Sequence, residues 1–347
     1  MHEQTSPEVS LVIATCNRHD FLQKFLTNLA GLESITLPRY EVIVVENHAD
    51  KAVAAKTQAI SDAFNVAFYH EPGLGHPHAC NRGILEAKGE YIALTDDDCI
   101  ITDPEWLAKM VAVFKKYPKV GYVSGRVTSL KNANEHQKLW EAKGGLGKGA
   151  KDLYWSEAFL SQAKFKVLPW QFHKICAGAN YMIPAKVFKE VGLLNTALGQ
   201  QGLLKHGYSL EIGYRIARAG YELYYTTDVE IFHFHPDTED DIKSKLYLYG
   251  KGDSGYPMSI FLNYFDYRYL WWALIGHAGY TIRKMILSLR GRYPLPVSYI
   301  VHGLRGNSIG WAIAIYDHIQ VRSLLRRNQY DGFTTLKQDK KRKANRL

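Results

Sequence analysis

The feature that most constrains this chain is an apolar run that ends in three consecutive carboxylates, Tyr91-Ile92-Ala93-Leu94-Thr95-Asp96-Asp97-Asp98. Residues 91–94 have the length and composition of a short strand buried on both faces. Three like charges at the end of such a strand repel one another, so the fold must deliver them to solvent or to a cation. A solvated acidic turn capping the next helix is one solution. The other is a hard divalent ion, Mg²⁺ or Mn²⁺, which takes oxygen ligands and bridges them to substrate phosphates. The triplet alone leaves both open.

The residues around it alternate between strand and helix patterns. Val9–Ala14, Tyr40–Val45 and Val66–Tyr69 read as strands, and Phe21, Leu22, Phe25, Leu26 and Leu29 recur at helical spacing. Helices are expected over Lys51–Phe64 and Asn81–Ala87, and another after Asp103-Pro104, which reads as an N-cap followed by proline at the first helical position. Repeated βα units predict an α/β fold, a mostly parallel sheet flanked by helices with a Rossmann-like nucleotide-binding half. Gly121–Val127 is a further strand, Leu210–Ala219 a helix closed by Gly220, and Tyr221–Tyr225 and Val229–Phe232 two short strands. The Gly- and Lys-rich stretch Lys143–Lys151 is expected to be a mobile loop; a phosphate-gripping role is the alternative, without the spacing of a P-loop.

A chain of 347 residues has room for one large domain with an appendage, or two medium ones. Met1–Glu8 is polar and leads into a strand, so no secretory leader is expected, and Cys16, Cys80, Cys99 and Cys176 read as reduced thiols of a cytoplasmic protein. The net charge of +9 is uneven: residues 281–347 hold 14 Lys/Arg against 3 Asp/Glu. A basic end suits an anionic surface, and peripheral attachment at the inner face of the plasma membrane is expected; a merely soluble tail is the alternative. Nucleic acid is not an expected partner, since that reading rests on Lys340-Lys341-Arg342-Lys343 alone. Phe261–Leu274 and Val297–Ile315 are both interrupted by polar or charged residues and neither makes a clean membrane span. They read equally as amphipathic helices lying on a membrane or as helices packed on the domain. The expected division is a domain over 8–242 with halves 8–120 and 121–242, a C-terminal helical, aromatic and basic extension over 243–330, and a basic tail over 331–347.

Taken in order, several motifs resemble the family 2 nucleotide-sugar glycosyltransferases of the GT-A fold. They are Ser10–Arg18, Glu41–Asn47, Gly73-Leu74-Gly75 with Asn81-Arg82-Gly83, Asp96–Asp98, Glu211–Arg215 through Tyr221, and His233-Phe234-His235. The resemblance covers roughly residues 8–255. It implies a UDP- or GDP-sugar donor, a glycan or lipid-linked acceptor, inverting single displacement, and a role in cell-surface polysaccharide or glycoconjugate synthesis. It places Thr15, Asn17, Arg18, Glu46 and Asn81 at the nucleotide. Asp98 becomes the direct metal ligand, with Asp96 at the ribose or the metal's water shell and His233 as a further ligand; His235 is the alternative to His233. Lys251, in a presumed loop Tyr249–Gly252, is placed at the leaving diphosphate, with a solvated loop cation as the alternative. Cys176–Tyr181 resembles the strand lining the acceptor side. Trp140, Trp155 and Trp170 are candidates for stacking on sugar rings, although core packing is the commoner fate of tryptophan.

One departure matters. Such proteins carry Glu-Asp just before the helix that here runs Leu210–Ala219, and that Asp is the base for the acceptor hydroxyl. The equivalent positions hold Tyr208 and Ser209, neither ionised near pH 7. Three accounts stay open: Glu211 serves as the base, the acceptor is a phosphate that needs no deprotonation, or the chain is a weak or inactive donor-binding relative acting as a scaffold.

Overall fold

Strand β1 (Val9–Thr15) is buried along its whole length. Because side chains alternate across a strand, Leu11 and Ile13 enter one core with Phe25 and Trp106, while Val12 and Ala14 enter a second with Ala79 and Ile84. A strand with a core on each face has no polar side, which is why its sequence is continuously apolar. In this computed structural model, residues 6–32, 39–130, 133–162, 169–199, 203–204 and 206–326 are described.

Strands β1, β2 (Tyr40–Glu46), β3 (Ala67–His70) and β4 (Tyr91–Asp96) pair in parallel in the order β3-β2-β1-β4. Helices α1 (His19–Ala30), α2 (Lys51–Ala63) and α3 (His76–Glu86) connect them. A short β5 (Cys99–Ile101), helix α4 (Trp106–Lys116) and the long β6 (Val120–Ser129) follow, then α5 (Glu135–Ala142), β7 (Leu153–Trp155) and α6 (Glu157–Gln162). Next come β8 (Asn180–Pro184), α7 (Ala185–Val191), α8 (Tyr208–Arg218) and β9 (Glu222–His233). β8 lies antiparallel between β4 and β6, and β6 pairs in parallel with β9, whose other edge takes β5 and β7. The sheet is the expected mostly parallel one flanked by helices.

Three local expectations change. α3 starts at His76 rather than Asn81, with Pro77 in the first turn, where its missing N–H costs nothing. β9 is one strand; the expected break at Thr226–Asp228 is a bulge, held by Asp152 Oδ1, which accepts from both the N–H and the hydroxyl of Thr227 at 2.8 Å. Tyr249–Gly252 is not a loop: it lies inside helix α9 (Glu239–Tyr264).

α9 is followed by α10 (Tyr267–Trp271), a π-helical turn, α11 (His277–Leu289) and α12 (Val297–Arg326). This extension shares the core of the sheet: Tyr256, Met258, Ile260 and Tyr269 cluster with Ile183, Leu198 and Leu210. Trp140 and Trp155 are buried, at 1% and 5% exposure, and serve packing rather than sugar stacking. The side chain of Trp170 and the basic tail 331–347 lie outside the described residues. No described helix is long and apolar enough to cross a membrane. The glycines of α9 do not break it because they let neighbours close in. A Cβ on Gly250 would meet Gly303 O at 2.1 Å, one on Gly306 would meet Tyr247 O at 2.1 Å, and one on Gly310 would meet Lys251 O at 2.0 Å. Backbone cannot move aside as a side-chain end can. Gly306→Ala and Gly310→Ala should each lower stability by about 1–3 kcal/mol in urea unfolding, because a methyl group must wedge α9 and α12 apart.

Candidate active site

The carboxyl ends of β1 and β4 lie side by side, with Ala14 opposite Asp96, and such strand ends are where open α/β sheets bind ligands. The three aspartates have different fates there. Asp97 is buried and accepts from Thr15 Oγ1 at 2.7 Å, and it meets Arg18 Nη1 at 2.8 Å. Burial pushes its carboxyl up to about 7 in spite of Arg18. Asp98 meets Arg18 Nη2 at 2.8 Å through Oδ2. Its Oδ1 is buried without a hydrogen bond, 3.1 Å from His233 Nε2. Asp96 lies 3.5 Å from His233 Nε2 and 3.2 Å from His76 Nε2. Burial works to raise the Asp96 carboxyl, but the two histidines outweigh it and hold it well below the usual range.

Asp96 at the end of β4, Asp98 in the turn before β5 and His233 at the end of β9 lie together. An orphaned carboxylate oxygen beside a second carboxylate and an imidazole is a donor set that fits a divalent cation. Asp98 and His233 also have ligand atoms within 4.8 Å of each other, together with Cys99. His235 is occupied elsewhere, with Nε2 3.0 Å from Glu141 Oε2.

A cavity of about 490 Å³ opens onto this constellation. Thr15, Cys16, Arg18, Asn47, His76, Asp96, Asp97, Asp98 and His233 line it, together with Leu146, Lys148, His173, Cys176, Gly178, His206, Tyr208, Ser209, Lys245 and Tyr249. A larger, more open hollow of about 740 Å³ lies at the amino ends of the strands, beside Glu8, Lys88 and Glu90, away from this chemistry. Gly178 belongs to the Cys176–Tyr181 segment expected on the acceptor side, and Tyr208 and Ser209 face the cavity where the acidic pair was missed.

Several expected site residues are placed otherwise. Glu46 is fully buried: Oε1 accepts from the N–H groups of Asn17 and His48 at 3.0 Å each, and Oε2 accepts from the Thr57 hydroxyl at 2.5 Å. It holds the turn after β1, where Asn17 has φ +53°, rather than a base or ribose. Asn17 itself is exposed and contributes through that turn, outside the cavity lining. Asn81 is buried and bonds both the N–H and the C=O of Leu194 at 2.9 Å, bracing α3 against the chain before α8. Lys251 lies on α9 outside the cavity lining, with Nζ 5.1 Å from the Tyr247 ring centre.

Glu211 is the largest correction. It is 1% exposed, and both its oxygens meet Arg215 Nε, at 2.9 and 3.0 Å. The guanidinium goes on to donate to Val191 O at 2.8 Å and Leu193 O at 2.7 Å. A carboxylate so committed is a brace between α7 and α8, not a base. Sequence reasoning missed His76, Lys148, His173, His206 and Lys245; only Gly75-His76-Pro77, a helix start, and the Lys-rich loop signalled any of them. Glu211→Gln should lower stability by roughly 3 kcal/mol, because it strands the buried Arg215. Turnover per folded molecule should persist, checked by denaturation beside initial rates.

The model of the family described as Glycosyl transferase family 2 matches residues 10–192. The chain is 29% identical over 125 residues to a poly-beta-1,6-N-acetyl-D-glucosamine synthase of Staphylococcus epidermidis, covering 36% of this chain and 29% of that one. It is 35% identical over 104 residues to the uncharacterized glycosyltransferase YwdF of Bacillus subtilis, covering 30% and 37%. The chain thus spans only about a third of the length of these relatives. Among solved structures, a mannosyltransferase from Pyrobaculum calidifontis in complex with GDP-mannose and Mn²⁺ superposes with a TM-score of 0.56 at 17% identity, over 90% of this chain and 88% of that one. That likeness bears out the GT-A fold. With the family model matched over more than half its length, the chain belongs to glycosyl transferase family 2.

Proposed function

We propose that this chain transfers a sugar from a nucleoside diphosphate sugar to a carbohydrate or lipid-linked acceptor, by inverting single displacement that depends on a divalent cation. The observation that carries this reading is the convergence of Asp98 Oδ1 and Asp96 on His233 Nε2, at 3.1 and 3.5 Å, on the wall of an open cavity. Mg²⁺ or Mn²⁺ held by these groups would neutralise the diphosphate as it leaves. The protein's own part is to keep the ligands in place. Arg18 fixes Asp98 through Oδ2 and leaves Oδ1 toward His233, while Thr15 and Arg18 together hold Asp97 behind it. A UDP- or GDP-sugar is the donor class, and the GDP-mannose and Mn²⁺ of the Pyrobaculum calidifontis complex agree with it. Synthesis of a cell-surface polysaccharide or glycoconjugate is the proposed setting.

A second reading, a donor-binding relative that does not transfer, is favoured by the commitment of Glu211 to Arg215. Donor turnover by the wild-type protein excludes it.

Attachment to an anionic membrane is also part of the proposal. Phe265, Tyr267, Trp271, Ile275, Ile282 and Leu289 are exposed on and beside α10 and α11, among Arg268, Arg283, Lys284 and Arg290. Apolar rings and basic side chains together suit a headgroup interface. Trp271→Glu with Ile275→Glu should abolish co-sedimentation with phosphatidylglycerol vesicles; unchanged sedimentation contradicts this surface.

Asp98→Asn should reduce Mn²⁺-dependent binding of a nucleoside diphosphate sugar at least tenfold in calorimetry, while thermal unfolding stays cooperative. Unchanged affinity in that variant removes Asp98 from the site.

A further inference from the structure

We propose that the acceptor presents a phosphate monoester to this cavity, and that its ionised oxygen is the attacking nucleophile. This rests on the donor reading above and specifies the other substrate.

Among the described residues, the cavity holds donor-side carboxylates but no uncommitted base for an acceptor hydroxyl. Asp96, Asp97 and Asp98 are the only carboxylates among its described lining residues, and all three are engaged by Arg18 or histidines. Glu211 is held by Arg215. Asp253, on α9 behind the lining, is enclosed by three imidazoles: His173 Nε2 at 3.2 Å, His206 Nε2 at 3.6 Å and His277 Nε2 at 3.2 Å. Of the four histidines in the lining, His76 and His233 turn Nε2 to Asp96 and Asp98; His173 and His206 are poor bases, since burial lowers both, His206 to about 4, and an effective base titrates near the working pH. Burial raises the Tyr208 phenol well above its ordinary range and pushes the Cys176 thiol up to about 12.

What the lining does hold is positive charge. Lys148 and Lys245 both face the cavity, and neither has a carboxylate within ion-pair distance among the described residues. Lys148 is carried there by the Gly-rich loop after α5, which Tyr225 tethers by donating its hydroxyl to Gly149 O at 2.8 Å. Burial lowers Lys148 to about 8; leaving a lysine half-buried without a partner is costly, and an anion beside it removes that cost. Tyr208, Ser209 and Leu210 open α8 on the same lining, and Gly207 before them offers no side-chain cap. Their amide groups add to an anion-attracting wall that the lysines establish.

A phosphate monoester meets both conditions. Its second pKa is about 6, so at pH 8 it is a dianion and needs no base. A phosphate oxygen forms the bond to the anomeric carbon as the bond from that carbon to the diphosphate oxygen breaks, and the diphosphate leaves with the electron pair. The products are a sugar phosphodiester and a nucleoside diphosphate, total charge is unchanged, and no proton is released. A hydroxyl acceptor would release one proton per transfer.

The test uses the full chain with Mn²⁺ and a panel of UDP- and GDP-sugars. Two matched acceptor pairs are offered at pH 8: farnesyl phosphate with farnesol, and mannose 6-phosphate with mannose. Donor consumption is followed by chromatography and proton release by an indicator dye. Transfer to a phosphorylated member, with no proton released and none to its unphosphorylated twin, is expected. Farnesyl phosphate alone identifies a lipid source, and mannose 6-phosphate alone a glycan source. Lys148→Met should raise the KM for that acceptor about tenfold or more, with Lys148→Arg recovering most of it. Transfer to farnesol or mannose with one proton released overturns the inference, as does bound donor that neither phosphorylated probe draws into product. Failure to bind any donor sinks the donor reading, and this inference with it.

Discussion

The Arg18 guanidinium is the contact on which the site depends. Three carboxylates at the end of a buried strand cannot stay together unopposed. Arg18, at the start of α1, spans Asp97 and Asp98 at 2.8 Å each and so locks the ends of the adjacent parallel strands β1 and β4. Burial opposes its charge, but Asp98 and Asp97 outweigh that and raise its pKa. The consequence is a division of labour: Asp97 becomes structural, and Asp98 keeps one oxygen for other chemistry. His233 reaches that oxygen only because β9 ends beside β5, where Cys99 pairs with His233.

The two halves of the cavity are built differently. The aspartates and His233 stand at strand ends, fixed by sheet register and by a second layer of buried hydrogen bonds through Glu46 and Asn47. The facing groups, Lys148, His173, His206 and Tyr208, come from loops, a short 3-10 helix over Pro169–Lys174 and the first turn of α8, backed by Asp253 on α9. Of the C-terminal helices, α9 is thus part of the site. The close approach of α9 and α12 through glycine positions the helix that carries Lys245, Tyr249 and Asp253.

The sheet and the acidic corner at its strand ends were legible because they obey local rules. Strands with a core on each face are apolar throughout, and a charged triplet at the end of one needs a cation or solvent. Motif order pointed to Asp96, Asp98 and His233, and the structure brings the three together although Asp98 and His233 are 135 positions apart. Roles decided by side-chain orientation were not legible. Glu46, Asn81 and Glu211 all look like ligand-binding polar residues, and all three spend their polar atoms on the protein. For Glu211 a local sign existed, since Arg215 lies one helical turn further on, at a spacing that favours an ion pair. Gly250 and Gly252 suggested a loop, but in a helix packed against other backbone small residues are what close approach requires. The ring of three histidines around Asp253 joins residues from four separate parts of the chain, and no local pattern announces it.

The central claim is that Arg18 leaves Asp98 free to hold a cation with Asp96 and His233. Its most direct test is a crystal structure grown with Mn²⁺ and a nucleoside diphosphate, with the manganese located by anomalous scattering. The account predicts one strong peak within coordination distance of Asp98 and His233, touching the diphosphate, with the Arg18–Asp97 pair intact. A diphosphate bound in the cavity with manganese absent from these residues, or coordinated elsewhere, would contradict it.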